Sequence, residues 1–144
     1  MPISPEARRS QSAQHYLVDG PLSARLETLL RLASQSIDFP VIMVNILDQD
    51  TQHTVSLIGA DDRTIRPRSD AFCDTVVRTG LPVLVDDAAT DLRFARFPAV
   101  LDGTVGSYLG VPLIGREAAI IGAVCVIDGQ ARTIDQGQVR RLTE

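Results

Sequence analysis

The chain has 144 residues, enough for one domain with a buried core, and 44% of them are hydrophobic. Aromatics are only 4% and Trp is absent, so that core must be built from Val, Ile, Leu and Ala. A formal net charge of −4 argues against nucleic acid as a partner, two cysteines make no disulfide framework, and no apolar run is long enough to span a bilayer.

All 14 basic residues are Arg, which holds anions through two-point contacts that Lys cannot make. The start, MPISPEARRSQSAQ, lacks the apolar stretch of a signal peptide, so the expected location is cytoplasmic with reduced thiols. Residues 1–19 are polar and carry Pro2 and Pro5, which predicts a flexible arm, helical at most from Glu6 onward. Residues 20–144 form the folded domain. Asp19-Gly20-Pro21 opens a helix, and Leu22, Leu26, Leu29, Leu30, Ala33 and Ile37 form one apolar stripe along it. Pro40 stops it.

Phe39–Asp48 is almost continuously apolar, as in a strand covered on both faces. After the turn Asp48-Gln49-Asp50, Thr51–Ala60 runs back as a hairpin partner, with Val55 and Leu57 expected on one face. Asp61–Arg68 is a charged loop. Ser69 is placed to cap a short helix whose buried face holds Phe72, Cys73, Val76 and Val77, and Thr79-Gly80 closes it. Pro82–Asp87 reads as a short edge strand. Ala88–Thr104 has no period and mixes acids and arginines with Phe94 and Phe97, the composition of a functional wall.

Val105–Ile114 and Ala118–Asp128 are apolar strands. A last helix begins near Ile134 or Asp135, carries Val139 and Leu142, and reaches Glu144 without a cap. It is expected to be truncated there, with further chain beyond. Strands joined by turns and irregular loops, with helices at both ends, predict an α+β fold around an antiparallel sheet.

The segments FCDTVVRTGLPVLVDDAATDLRF and SYLGVPL, followed by GAVCVID, resemble GAF domains, most of all the bacterial type that precedes diguanylate cyclase, phosphodiesterase or histidine kinase domains. The resemblance covers roughly Pro21 to Glu144. It implies a central antiparallel sheet of five or six strands, with the terminal helices on one face. The other face carries a short helix and a loop that enclose a pocket. It also implies a homodimer built on the terminal helices, here Leu22, Leu26, Leu29, Val139 and Leu142, and a C-terminal output domain.

Within that frame the candidate ligand residues are Phe72, Cys73, Asp86, Asp91, Arg93, Phe94 and Tyr108: aromatic walls and a polar rim. For Asp91 and Arg93 the competing reading is loop capping and ion pairing. Cys73 falls in the first turn of a helix, where backbone N–H groups favour a thiolate, but free Cys is also a common core residue. Some GAF proteins reduce free methionine sulfoxide with pocket cysteines, and this chain lacks the extra loop cysteine of those reductases. Cys125, mid-strand, reads as packing, and His53 as a solvent-facing residue. No metal-site spacing is present, nor the Cys-His dipeptide of bilin-binding members, nor the Asn-Lys-Phe-Asp-Glu set of cyclic-nucleotide members.

The reading reached is a non-catalytic sensory domain of a bacterial signalling protein concerned with cyclic di-GMP turnover. It is expected to bind a small molecule or nucleotide, to dimerise, or both; the cofactor is unassigned. The alternatives are a ligand-free dimerisation module and a thiol enzyme acting on methionine sulfoxide.

Overall fold

The computed structural model describes residues 4–17, 28, 30–32, 35, 37–59, 65–115 and 118–143. Six strands form one sheet: β1 (Val41–Leu47), β2 (Thr51–Ile58), β3 (Ile65–Pro67), β4 (Val83–Val85), β5 (Ser107–Ile114) and β6 (Ile120–Asp128). Their order is β3-β2-β1-β6-β5-β4, and every adjacent pair is antiparallel. Among the described residues the helices with defined bounds are α1 (Pro5–Leu17), α2 (Cys73–Thr79), α3 (Pro98–Leu101) and α4 (Gln136–Thr143), with a 3-10 turn at Arg68–Asp70; residues 28 and 30–32 are helical too.

The apolar run of β1 earns its place beside β6 at the centre of the sheet, where both faces are covered. Asn45 and Leu47 point to one face and pack beneath α2 and residues 88–105; Ile42, Val44 and Ile46 point to the other. On that second face Leu30, Ile37, Ile134, Val139 and Leu142 close a separate apolar layer over Leu109, Val111 and Val126. Edge position for β4, expected from Pro82, is what the sheet order gives.

Three local expectations meet a correction. The polar segment read as an arm is helical from Pro5, close to where the sequence allowed it, but it is docked on the domain rather than free. Ala13 packs on Ile46 and Ile121, and a buried cation adds the polar hold: Arg9 donates through Nη1 to the carbonyls of Leu47 (2.7 Å) and Ile120 (3.2 Å) and through Nη2 to that of Asp48 (2.9 Å). Glu6 pairs with Arg9 at 2.8 Å and with Arg68, and Arg68 reaches Asp74 of α2 at 2.6 Å. A helix without a strong apolar stripe can thus dock through a cation on strand-end carbonyls, a bond that leaves no periodic trace in sequence.

Val55 and Leu57 do not share a face. Val44 pairs with Ser56 but Asn45 pairs with Thr54, so Val55 is the extra residue of a β-bulge. The bulge moves the alternation on by one: Gln52, Thr54 and Leu57 face the α2 side, and Val55 packs on the other. Ser69 does not cap α2. It lies in the 3-10 turn, where the Arg68 N–H donates to Asp50 (2.8 Å) and the Ala71 N–H to Arg68 (3.2 Å). Phe72 takes the N-cap position without a side-chain bond. Gly80 closes α2 as expected, in the left-handed conformation (φ 70°) that favours glycine.

α4 begins with a reciprocal cap: the Gln138 N–H donates to Asp135 Oδ1 (2.8 Å) and the Asp135 N–H to Gln138 Oε1 (3.1 Å). Most of the helix expected over 21–38 lies outside the described residues, as do Leu22, Leu26 and Leu29. No helix among the described residues is long and apolar enough to cross a membrane.

Arg9→Met keeps the stem of the side chain and strips its donors from the buried carbonyls. It should cost about 2–3 kcal/mol in urea unfolding and expose α1 to proteolysis. The hydrogen bond from Arg9, with Arg68 adding to it against partial burial, holds the Glu6 carboxyl below its ordinary range. A carboxyl with a lowered folded-state pKa contributes stability above the unfolded value and loses it as pH falls through the folded value. Glu6→Gln should therefore flatten the acid limb of the stability profile, measured by chemical unfolding at stepped pH.

Candidate functional site

Between the sheet and the roof made by α2 and the 99–105 segment lies a cavity of about 360 Å³. The strands furnish its floor in an ordered way. Arg66 comes from β3; Gln52, Thr54 and Leu57 from β2; Val41, Met43 and Asn45 from β1; Cys125 and Ile127 from β6; Tyr108 from β5. Ala71, Phe72, Cys73, Ala99 and Val105 form the roof. Arg66, Gln52 and Thr54 put polar groups on the β3–β2 side, Asn45 and Tyr108 carry them across the floor, and most of the remaining lining is apolar.

A chain of buried hydrogen bonds crosses this floor. Thr54 Oγ1 donates to Asn45 Oδ1 at 2.7 Å, and Asn45 Nδ2 donates to the sulfurs of both Cys73 and Cys125 at 3.4 Å. The Tyr108 hydroxyl lies 3.0 Å from Cys73 Sγ, and the two sulfurs are 3.9 Å apart. Both thiols are free and almost wholly buried. The hydrogen bond with Cys125 draws the Cys73 thiol below its usual range; those from Tyr108 and Asn45 and the charge of Arg66 help, and burial opposes. The same sulfur contact, together with burial, pushes Cys125 well up, and burial raises the Tyr108 phenol. Of the two thiols, Cys73 is the one drawn toward the thiolate.

Gly110 makes room for this arrangement. A Cβ built there would lie 2.1 Å from the Tyr108 hydroxyl oxygen. Above it Phe72 stacks on Phe94 (centroids 4.5 Å) and on Tyr108 (4.9 Å), and Phe97 meets Phe72 edge-on at 5.4 Å. Four of the chain's six aromatics thus form one cluster, whose Phe72 and Tyr108 close the end of the cavity.

Of the residues expected to hold a ligand, Phe72, Cys73 and Tyr108 line the cavity. Phe94 is buried behind Phe72. Asp91 and Arg93 pair with each other at 2.9 Å, Asp91 Oδ1 also accepts the Arg93 N–H at 3.0 Å, and the guanidinium lies 4.9 Å from the Phe94 ring centre. Asp86 accepts the Ile134 N–H at 3.1 Å, tying β4 to the approach of α4. Asp86, Asp91, Arg93 and Phe94 are not among the lining residues. Val139 and Leu142, expected at a dimer interface, are buried against the sheet within the chain. His53 bonds Asp48 at 3.2 Å across the β1–β2 turn.

Sequence reasoning missed Asn45, Gln52, Thr54, Arg66 and Cys125. The signal available was Asn45, a polar residue inside an otherwise apolar strand, since a buried amide needs partners. Gln52 and Thr54 were hidden by the bulge, and Arg66 by the charged run around it.

The family model for the GAF domain matches residues 21–144. A curated relative, a cyclic di-GMP phosphodiesterase of Pseudomonas aeruginosa, is 32% identical over 135 residues, which cover 91% of this chain and 23% of that protein. The chain thus spans less than a quarter of that relative's length. Among solved structures, the GAF domain of an Acinetobacter phosphoenolpyruvate-protein phosphotransferase has a TM-score of 0.69 at 15% identity, covering 99% of this chain and 88% of that one. A type II free methionine-R-sulfoxide reductase from Thermoplasma acidophilum has a TM-score of 0.69 at 13% identity, covering 86% of both chains. These two likenesses speak for the fold.

Gly110→Ala should drive the Tyr108 ring off Cys73 and destabilise the chain by roughly 1–3 kcal/mol. The tyrosine ultraviolet difference spectrum should show Tyr108 more exposed, and Cys73 should become faster to alkylate; an unchanged spectrum and thiol rate would contradict the packing described.

Proposed function

The chain belongs to the GAF domain family, and from that premise we propose that it is a non-catalytic regulatory module that binds a small molecule and biases an output domain of a bacterial signalling protein. The observation that carries the reading is the cavity itself. It is a concavity between the sheet and α2 with the 99–105 segment, mostly apolar and furnished with convergent polar groups, the usual build of a small-molecule site. The 32% identical relative, named as a cyclic di-GMP phosphodiesterase, supports an output concerned with cyclic di-GMP turnover.

A route outward follows from the sheet. β1 and β6 present Asn45 and Cys125 to the cavity and Val44 and Val126 to the layer that holds Val139 and Leu142 of α4. A ligand that shifts these central strands changes the seat of α4, and α4 leads toward the C-terminus. The domain acts as a homodimer in this reading, through surfaces other than Val139 and Leu142.

One observation favours a second reading, thiol redox chemistry: two cysteine sulfurs 3.9 Å apart at the cavity wall. In it Cys73 attacks the sulfur of a sulfoxide and takes its oxygen as a sulfenic acid, releasing the thioether. The Cys125 thiol then displaces water to form a disulfide, which an external dithiol reduces.

A metabolite thermal-shift screen separates the readings. A ligand at a hundredfold excess over its Kd should stabilise the domain by about 2.7 kcal/mol. Failure of any compound to stabilise, combined with loss of a dimer in Leu26→Asp, would favour a ligand-free dimerisation module. Turnover of free methionine sulfoxide with a dithiol, abolished in Cys73→Ser, would establish the enzyme instead.

A further inference from the structure

The cavity holds two unsatisfied polar atoms: the Nε–H of Arg66 and the amide oxygen of Gln52 are buried without a hydrogen-bond partner. They are neighbours, because Gln52 and Arg66 are paired across β2 and β3, and both line the cavity. A buried donor or acceptor left unpaired is costly, so a fold that keeps two side by side points to a partner that supplies both bonds.

Among the described residues the Arg66 guanidinium also has no close counterion, its charge reaching the Asp102 carboxylate only as a weak, longer-range influence. Arg9, Arg68, Arg78, Arg93 and Arg132 all form ion pairs with carboxylates, whereas among the described residues no carboxylate pairs with Arg66. Gln52 itself is only 5% exposed. One cationic donor beside one neutral acceptor matches an anionic oxygen beside an O–H or N–H donor. Beside them on the floor, Met43, Leu57 and Ile127 match a short apolar body. A volume of about 360 Å³ is near the lower end for small-molecule sites, which suits a compact metabolite and leaves little room for a cyclic dinucleotide.

We propose that the site takes a small organic carboxylate bearing a hydroxyl or N–H next to the acid group, with the acid on Arg66, the adjacent donor on Gln52 Oε1 and the aliphatic part against Met43 and Ile127. This rests on the ligand-binding reading above and narrows it. The carboxylate binds by charge-assisted hydrogen bonding, so its neutral amide does not replace it. Arg66 is a binding residue rather than a structural one.

Calorimetry and thermal shift on the chain, with 2-hydroxybutyrate, its amide, 2-butanol and inorganic phosphate as probes, test this. The hydroxy acid should bind saturably and raise Tm, and the amide should bind at least tenfold more weakly. Arg66→Gln should weaken the acid by about tenfold to a hundredfold while leaving the unliganded Tm near that of the wild type. Gln52→Glu supplies an internal carboxylate to Arg66; it should raise the unliganded Tm and abolish binding of the acid. Equal binding of acid and amide, or an Arg66→Gln chain that binds as tightly as the wild type, would overturn the inference. So would binding of phosphate but not of the carboxylate. A response to 2-butanol alone would also overturn it, yet leave the ligand-binding reading standing. If Gln52→Leu lowers the unliganded Tm and no probe binds, Gln52 and Arg66 serve each other, and the inference is lost.

Discussion

The buried amide of Asn45 is the constraint around which the domain is organised. It sits in the central strand, where water cannot satisfy it, so its oxygen and nitrogen must be met by protein. Thr54 meets the oxygen, and the sulfurs of Cys73 and Cys125 meet the nitrogen. Those partners come from β2, α2 and β6. One side chain therefore fixes the position of the roof helix over the sheet and the register of two flanking strands. An apolar residue of similar size would fill the space but would specify none of these relations.

The cavity follows from the same arrangement. With α2 held at its N-terminal end over β6, the aromatic wall of Phe72 and Tyr108, backed by Phe94, closes one end, and the missing side chain of Gly110 leaves Tyr108 its place. On the β3–β2 side no comparable bulk is available, and the space is faced by Gln52, Thr54 and Arg66 instead. An interior more polar on one side than on the other has a built-in direction for a ligand. The opposite face of the same strands carries the layer under α4, so occupancy of one face and the seating of a helix on the other share their supports.

Arginine does two different jobs in this chain. Arg9 and Arg68 are structural: they tie α1 to strand-end carbonyls and to α2, and carboxylates neutralise them. Arg66, close to Arg68 in sequence, lines the cavity with its Nε–H unpaired. Residue type alone does not separate the two. Position does, since Arg66 lies within β3 opposite Gln52 on the cavity face, whereas Arg68 lies past the strand end in the 3-10 turn, where it meets Glu6 and Asp74.

Periodicity, capping and turn chemistry in the sequence sufficed for the antiparallel α+β architecture, the hairpin of β1 and β2, the edge position of β4, the Gly80 stop of α2 and the helical C-terminus. All of these depend on interactions within a few residues, or on apolar patterns that burial rewards in a regular way. Phe72, Cys73 and Tyr108 were legible as cavity residues because they sit on motifs the family shares. The docking of α1, the shift of Val55 to the far face and the joining of Asn45, Thr54, Cys73 and Cys125 were decided by the tertiary structure. Each turns on a partner distant in sequence or on one inserted residue. A bulge reverses every side chain beyond it, and a cation on a carbonyl has no period, so neither can be read until the strands are side by side.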